Sequence, residues 1–241
     1  MNKPILISHP NKAKMIAHRG LSGIETENTA AAFVAAGQHP YFGIETDVHR
    51  TKDGQFIIIH DDDTFRVSGE HHIVEETDFD TLRSLRLMDK STSIVRHDLV
   101  LPTLSEYIRI LKHYDKHAVL EIKNPMEKAD IAEIIHLIRE EDYLTSTTFI
   151  SFDWQNMLHI RSLLPHQSAQ FLMEEWEDDL PDRLHKHQLD LDILWKCLTK
   201  ERVKRLHEKG ILVNVWTVDD AQTAASLCNM GVDQITSNIL L

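Results

Sequence analysis

Cysteine is nearly missing from this chain: Cys197 and Cys228 are the only two in 241 residues. They cannot build a disulfide framework and fit no metal-ligand spacing, which points to a reducing compartment, the cytoplasm. Positive charge is also scarce. The sequence has 26 Lys and Arg against 38 Asp and Glu, a net charge of −12, whereas sequence-independent nucleic-acid binding rests on basic surface. No nucleic-acid partner is expected, and an anionic substrate has to be attracted locally, by a metal or a few basic side chains. No apolar run approaches bilayer-spanning length, so no membrane span is expected. Residues 1–10 hold only a four-residue apolar stretch, so no signal peptide is expected. Low-complexity linkers and internal repeats are absent as well.

What remains is an ordinary globular composition, 42% hydrophobic and 27% charged. A chain of this length makes one large domain or two small ones, with a sizeable core. Short apolar runs recur at residues 15–17, 42–48, 56–60, 118–122, 148–152, 169–173, 191–195, 211–217 and 232–236. Several are apolar on both faces, as in Phe56-Ile57-Ile58-Ile59, the pattern of parallel strands covered on both sides. Amphipathic segments lie between many of them. Residues 28–38 are Ala-rich, with Asn28 or Thr29 as N-cap. Residues 103–114 place Leu104, Tyr107, Ile108 and Leu111 on one stripe, and residues 128–141 place Ile131, Ile134, Ile135 and Ile138 on another. Residues 199–209 open on Thr199 and stop at Gly210.

Strands alternating with helices predict an α/β fold, a (β/α)8 barrel, with a doubly wound open sheet as the alternative that periodicity does not separate. The runs 42–48 and 56–60 are joined by Thr51-Lys52-Asp53-Gly54, which leaves no room for a helix. They form either a hairpin or two parts of one irregular unit. The polar stretch 62–100 reads as a small insertion into a single domain, 1–241.

The chemistry-bearing residues sit where these runs end. Glu45 and Asp47 are two apart on a strand and share a face. Crowded carboxylates call for a cation, and hard oxygen ligands favour Mg²⁺ or Ca²⁺ over zinc; the bland alternative is a solvated pair. Glu121 supplies a third carboxylate. Lys123, on its face, can hold a phosphate or simply pair with Glu121. His18 and His60 each end an apolar run, where barrel enzymes place their sites, and two histidines can divide general base and general acid. With 16 histidines in the chain, each taken singly has an unremarkable solvated reading. Asp61 could orient an imidazole, although neighbours on a strand point apart. Arg19 could fork onto a phosphate or serve in a structural ion pair. Glu27 reads as a helix-start residue first and a site residue second. Trp216 could wall a pocket at the barrel mouth or fill the core. Asp62, Asp63, His71, His72 and the acidic run 174–179 read as solvated.

Taken together, the stretches Ile16-Ala17-His18-Arg19-Gly20, Glu27-Asn28-Thr29, Glu45-Thr46-Asp47-Val48, Thr51-Lys52-Asp53-Gly54, His60-Asp61, Leu101-Pro102-Thr103-Leu104, Glu121-Ile122-Lys123, Val215-Trp216-Thr217-Val218 and Gly231-Val232-Asp233 resemble the glycerophosphodiester phosphodiesterases, relatives of the phospholipase-C-like phosphodiesterase barrels. The resemblance implies a (β/α)8 barrel with a small insertion after the second strand unit. It implies Glu45, Asp47 and Glu121 as ligands of one divalent cation, Mg²⁺ or Ca²⁺. His18 and His60 become the acid/base pair, and Arg19 and Lys123 lie near the phosphate. The implied reaction is hydrolysis of a glycerophosphodiester to glycerol 3-phosphate and an alcohol. Alternatives are a lyase that stops at a cyclic phosphate and a barrel that binds a phosphorylated ligand without turnover. The small-molecule diester is the implied partner, and a homodimer is compatible with it. The chain departs from its relatives at Ser68-Gly69-Glu70-His71-His72, where a Thr-x-Gly-x-Gly-like stretch is usual. It departs again at Thr236-Ser237-Asn238-Ile239, where Thr-Asp precedes a Pro.

Overall fold

The structure, a computed structural model, describes residues 3–6 and 13–241. Most of the N-terminal stretch read above as lacking a signal peptide lies outside these residues. Among the described residues no helix is long and apolar enough to cross a membrane.

The order is β1 (Lys14–Ala17), α1 (Ala30–Gly37), β2 (Gly43–Arg50), β3 (Phe56–Ile58), α2 (Phe65–Ser68), α3 (Phe79–Ser84), β4 (Leu87–Met88), β5 (Val95–Arg96) and α4 (Leu104–Tyr114). Regular alternation follows: β6 (His117–Ile122), α5 (Lys128–Glu140), β7 (Thr147–Ser151), α6 (Trp154–Leu163), β8 (Ala169–Met173), α7 (Leu180–His187), β9 (Asp190–Leu194), α8 (Lys200–His207), β10 (Val213–Trp216), α9 (Ala221–Met230) and β11 (Gln234–Ser237). Strands β1, β2 and β6–β11 are parallel neighbours in that order, and β1 pairs with both β2 and β11. That double pairing closes the sheet into a (β/α)8 barrel and removes the open-sheet alternative.

The helices form for local reasons. Thr103 accepts from the Glu106 N–H at 3.0 Å while Glu106 accepts from the Thr103 N–H at 2.8 Å, a capping box that satisfies two end donors. The stripes read in the sequence are buried in α4 and α5. Each fully buried isoleucine of α5 contributes about 1.5–3 kcal/mol over exposure. The Tyr107 hydroxyl donates to the Ile44 carbonyl at 2.7 Å, fixing α4 against β2.

Nine apolar runs yield eight barrel strands, because the run at 56–60 is not one of them. β3 is antiparallel to β2, with Val48↔Ile58, His49↔Ile57 and Arg50↔Phe56 in register. The pair is a hairpin that rises above the barrel rim and returns. Thr51 fastens its turn, donating to Asp53 Oδ1 at 2.6 Å and accepting from the Gln55 N–H at 2.9 Å. The stretch 59–103 then carries α2, α3 and the β4–β5 ribbon on a second apolar cluster that includes Ile57, Ile59, Val74, Leu82, Leu87 and Leu101.

Candidate active site

Asp47 and Glu121 are register partners on β2 and β6, and Glu45 lies two residues before Asp47 on the same face. All three are buried, at 3%, 1% and 7% exposure for Glu45, Asp47 and Glu121, and they offer oxygens within 4.8 Å of one another. Burial and the neighbouring Asp47 push Glu121 up to about 8 and Glu45 well above the carboxylate range. Burial also opposes ionisation of Asp47, but Arg19, Lys123 and His60 outweigh it and hold its pKa low. Asp47 Oδ1 has no hydrogen-bond partner. Arg19 and Lys123 lie against the cluster, and Arg19 is shared with Glu27. The donor set, all oxygen, fits a hard cation.

The cations are held close. Lys123 Nζ lies 2.9 Å from Glu121 Oε1 and 3.8 Å from Asp47 Oδ1. Arg19 follows β1 in a left-handed turn, with φ of 54° at Arg19 and 77° at Gly20. A Cβ at position 20 would meet Ala32 at 2.7 Å, so only glycine fits there. This turn aims the Arg19 N–H at Glu45 Oε2, 2.8 Å away, and its guanidinium at Glu27 and Asp47, 2.9 and 3.6 Å away.

The two histidines have different partners. His18 Nδ1 lies 2.8 Å from Asn238 Oδ1. Asn238 donates its Nδ2 to Asp219 at 2.6 Å, which leaves the amide oxygen for the imidazole. His18 therefore carries its proton on Nδ1, and Nε2 faces Glu45 at 3.9 Å. Burial, then Arg19, pulls its pKa down to about 4. His60 follows β3, and its Nδ1 lies 2.6 Å from Asp61 Oδ1. The strand rule that set Asp61 apart does not apply, because β3 ends at Ile58. Burial lowers the His60 pKa as well, and the Asp61 hydrogen bond opposes that shift. Asp61 itself falls to about 2 despite its burial, under the hydrogen bonds of Arg66 and His60.

His18, Arg19, Glu45, His60 and Glu121 line one pocket, Asp47 and Lys123 adjoin it beside Glu121, and Trp216 lines the same pocket, edge-on to Phe152 at 5.6 Å. Further residues enter that the sequence reading undervalued or missed. Thr29, not Glu27 or Asn28, caps α1, accepting from Ala32 N–H at 3.2 Å. Asn28 instead donates to Asp47 Oδ2 at 2.8 Å and accepts from Thr46 at 2.7 Å. Glu27 bridges Arg19 to Arg66, whose guanidinium also grips Asp61. Asn238, just after β11, holds His18 Nδ1 through its amide oxygen at 2.8 Å. Asp192 interrupts the apolar run 191–195, and that interruption was its available signal.

The pattern that defines the Glycerophosphoryl diester phosphodiesterase family matches residues 18–239, and this chain belongs to that family. A glycerophosphodiester phosphodiesterase of Caldanaerobacter subterraneus subsp. tengcongensis is 26% identical over 94% of both chains. One from Bacillus altitudinis is 27% identical over 92% of this chain and 93% of its own. Among solved structures, an Oleispira antarctica phosphodiesterase in complex with the product sn-glycerol-3-phosphate matches with a TM-score of 0.86. It is 25% identical and covers 94% of this chain and 93% of its own.

Proposed function

We propose that this protein hydrolyses glycerophosphodiesters to glycerol 3-phosphate and an alcohol, with one divalent cation, Mg²⁺ or Ca²⁺, held by Glu45, Asp47 and Glu121. The observation that carries the reading is the buried carboxylate cluster with its unpartnered Asp47 oxygen beside two histidines of unlike surroundings. A bound cation supplies positive charge against the phosphate. Arg19 and Lys123 add to it and orient the diester.

His18 acts as the general base. Its Nδ1 proton is fixed on the neutral Asn238 oxygen, so the Nε2 lone pair faces the reacting centre. His60 acts as the general acid, because the Asp61 carboxylate stabilises its imidazolium. An oxygen of the glycerol unit loses its proton to His18 and forms a bond to phosphorus, while the bond to the head-group alcohol breaks and His60 protonates the departing alkoxide. Water then opens the cyclic ester with the two histidines in exchanged roles. The protein works in the cytoplasm, as one catalytic unit over residues 1–241 with residues 62–100 as its insertion.

Turnover of glycerophosphoethanolamine by the purified protein is expected to vanish with a chelator and to return with Mg²⁺ or Ca²⁺. Phosphorus NMR should register glycerol 3-phosphate as the end product. Full activity in metal-stripped protein would sink the cation site; accumulation of cyclic phosphate alone would make the protein a lyase.

A further inference from the structure

Burial does not hold the His60 ring. It is 32% exposed and follows β3 outside any strand, so packing leaves its orientation to the 2.6 Å hydrogen bond between Nδ1 and Asp61. Asp61 is itself 29% exposed, and a carboxylate so open to water turns unless a second group grips it. That group is Arg66, on α2 of the insertion. Its Nε donates to Asp61 Oδ2 at 2.5 Å and its Nη2 to Asp61 Oδ1 at 3.0 Å. Its outer edge takes Glu27, with Nη1 donating to Oε2 at 2.9 Å and Nη2 to Oε1 at 2.8 Å. Glu27 in turn accepts from Arg19 Nη1 at 2.9 Å. Charge therefore alternates along one chain of contacts, from Arg19 through Glu27, Arg66 and Asp61 to His60. Burial opposes ionisation of Glu27, but Arg66 and Arg19 outweigh it and hold its pKa down to about 2. Both carboxylates of the chain are thus charged at neutral pH, and without the guanidinium they would repel each other across its place. The backbone under Arg66 is fixed. Thr64 Oγ1 donates to the Glu70 carbonyl at 2.6 Å and Ser68 Oγ to the Thr64 carbonyl at 2.9 Å, while Val67 is buried in the second apolar cluster.

We propose that Arg66 is a positioning residue for the proton transfer to the leaving alkoxide. Through Asp61 it sets the His60 ring, and through Glu27 it ties that ring to Arg19. The proposal rests on the phosphodiesterase reading above. Arg66 is not among the residues that line the pocket with His18, Arg19, Glu45 and His60, so it acts on the reaction through its two carboxylates. Only a guanidinium does this. Its planar fork offers paired N–H groups to two carboxylates at a fixed angle, whereas an ammonium is a point charge on a flexible stem. The insertion then has a place in the chemistry, because its α2 supplies the brace of the acid. An alkoxide leaves poorly without a proton, so a misplaced His60 costs rate when the leaving group is an alkoxide and little when it is already a stable anion. That dependence separates positioning of the acid from a general loosening of the site.

The test uses the full chain with Mg²⁺ and two substrates. In sn-glycero-3-phosphoethanolamine the departing oxygen needs a proton; in the 4-nitrophenyl ester of sn-glycerol 3-phosphate the nitrophenolate leaves without one. Arg66→Ala is expected to lower kcat for the first by about 10–100-fold and for the second by less than about threefold. Arg66→Lys keeps the charge and loses the fork, and it is expected to show the same split between substrates. It carries the test alone if the Ala variant fails to fold. An equal loss on both substrates, or an unchanged kcat for the first in either folded variant, overturns the inference alone. Hydrolysis of neither substrate by the wild type overturns the phosphodiesterase reading and the inference with it.

Discussion

The two histidines are the residues whose surroundings differ most, and that difference gives them unequal consequences. His18→Ala and His60→Ala are each expected to lower kcat by about 10²–10⁴-fold, with the circular dichroism spectrum unchanged, because neither ring is part of the core. Asp61→Asn separates the roles further. It keeps the hydrogen bond to His60 Nδ1 but removes the charge that favours an imidazolium. The acidic arm that sustains activity at higher pH should therefore shift toward lower pH in this variant, since His60 would lose its proton more easily. A rate-against-pH curve identical to the wild type would mean that His60 is not the acid. The roles of Asn28 and Asn238 were not legible in the sequence, because each depends on where a distant chain segment brings its amide: Asn28 meets a carboxylate 19 residues on, and Asn238 meets an imidazole 220 residues back.

At the scale of elements, most of the fold was legible. The apolar stripes of α4 and α5 and the Thr caps lie where the 3.6-residue period and cap chemistry put them. The capping box of α4 gives a direct measurement: Thr103→Ala is expected to cost about 1 kcal/mol of unfolding free energy, read as a drop in denaturant midpoint at constant slope. No change would mean that packing alone sets that helix start. The hairpin was the ambiguous element, since an apolar run has the same look in a barrel strand and in an antiparallel arm; only pairing decides. The stretch 59–103 was less legible, since its apolar residues are sparse in sequence and find one another through short elements rather than through a period.

At the scale of the whole molecule, buried acids make stability depend on pH. Asp192 has a folded pKa of about 8 against an ordinary value of 3.8. Between these values the folded chain holds a proton that the unfolded chain has released, so stability falls as pH rises through this window. Asp192→Asn removes that slope. The melting temperature of the variant relative to the wild type is expected to rise from pH 5 to pH 8, by roughly 8–15 °C. A difference that stays constant across the range would place the carboxyl in a better-solvated setting than its 2% exposure describes.

The hairpin has one more consequence, for how the protein can change over time. Because β3 folds back onto β2, the proposed base, acid, arginine and two of three cation ligands all fall between His18 and His60. The remaining ligand follows on β6 and the lysine just after it, while the opposite wall of the pocket belongs to β8–β11. The reacting groups thus fall mostly in one length of the chain, with Asn238 near its end holding His18. The strands β8–β10 can change their pocket-facing side chains without touching a proposed proton carrier or cation ligand.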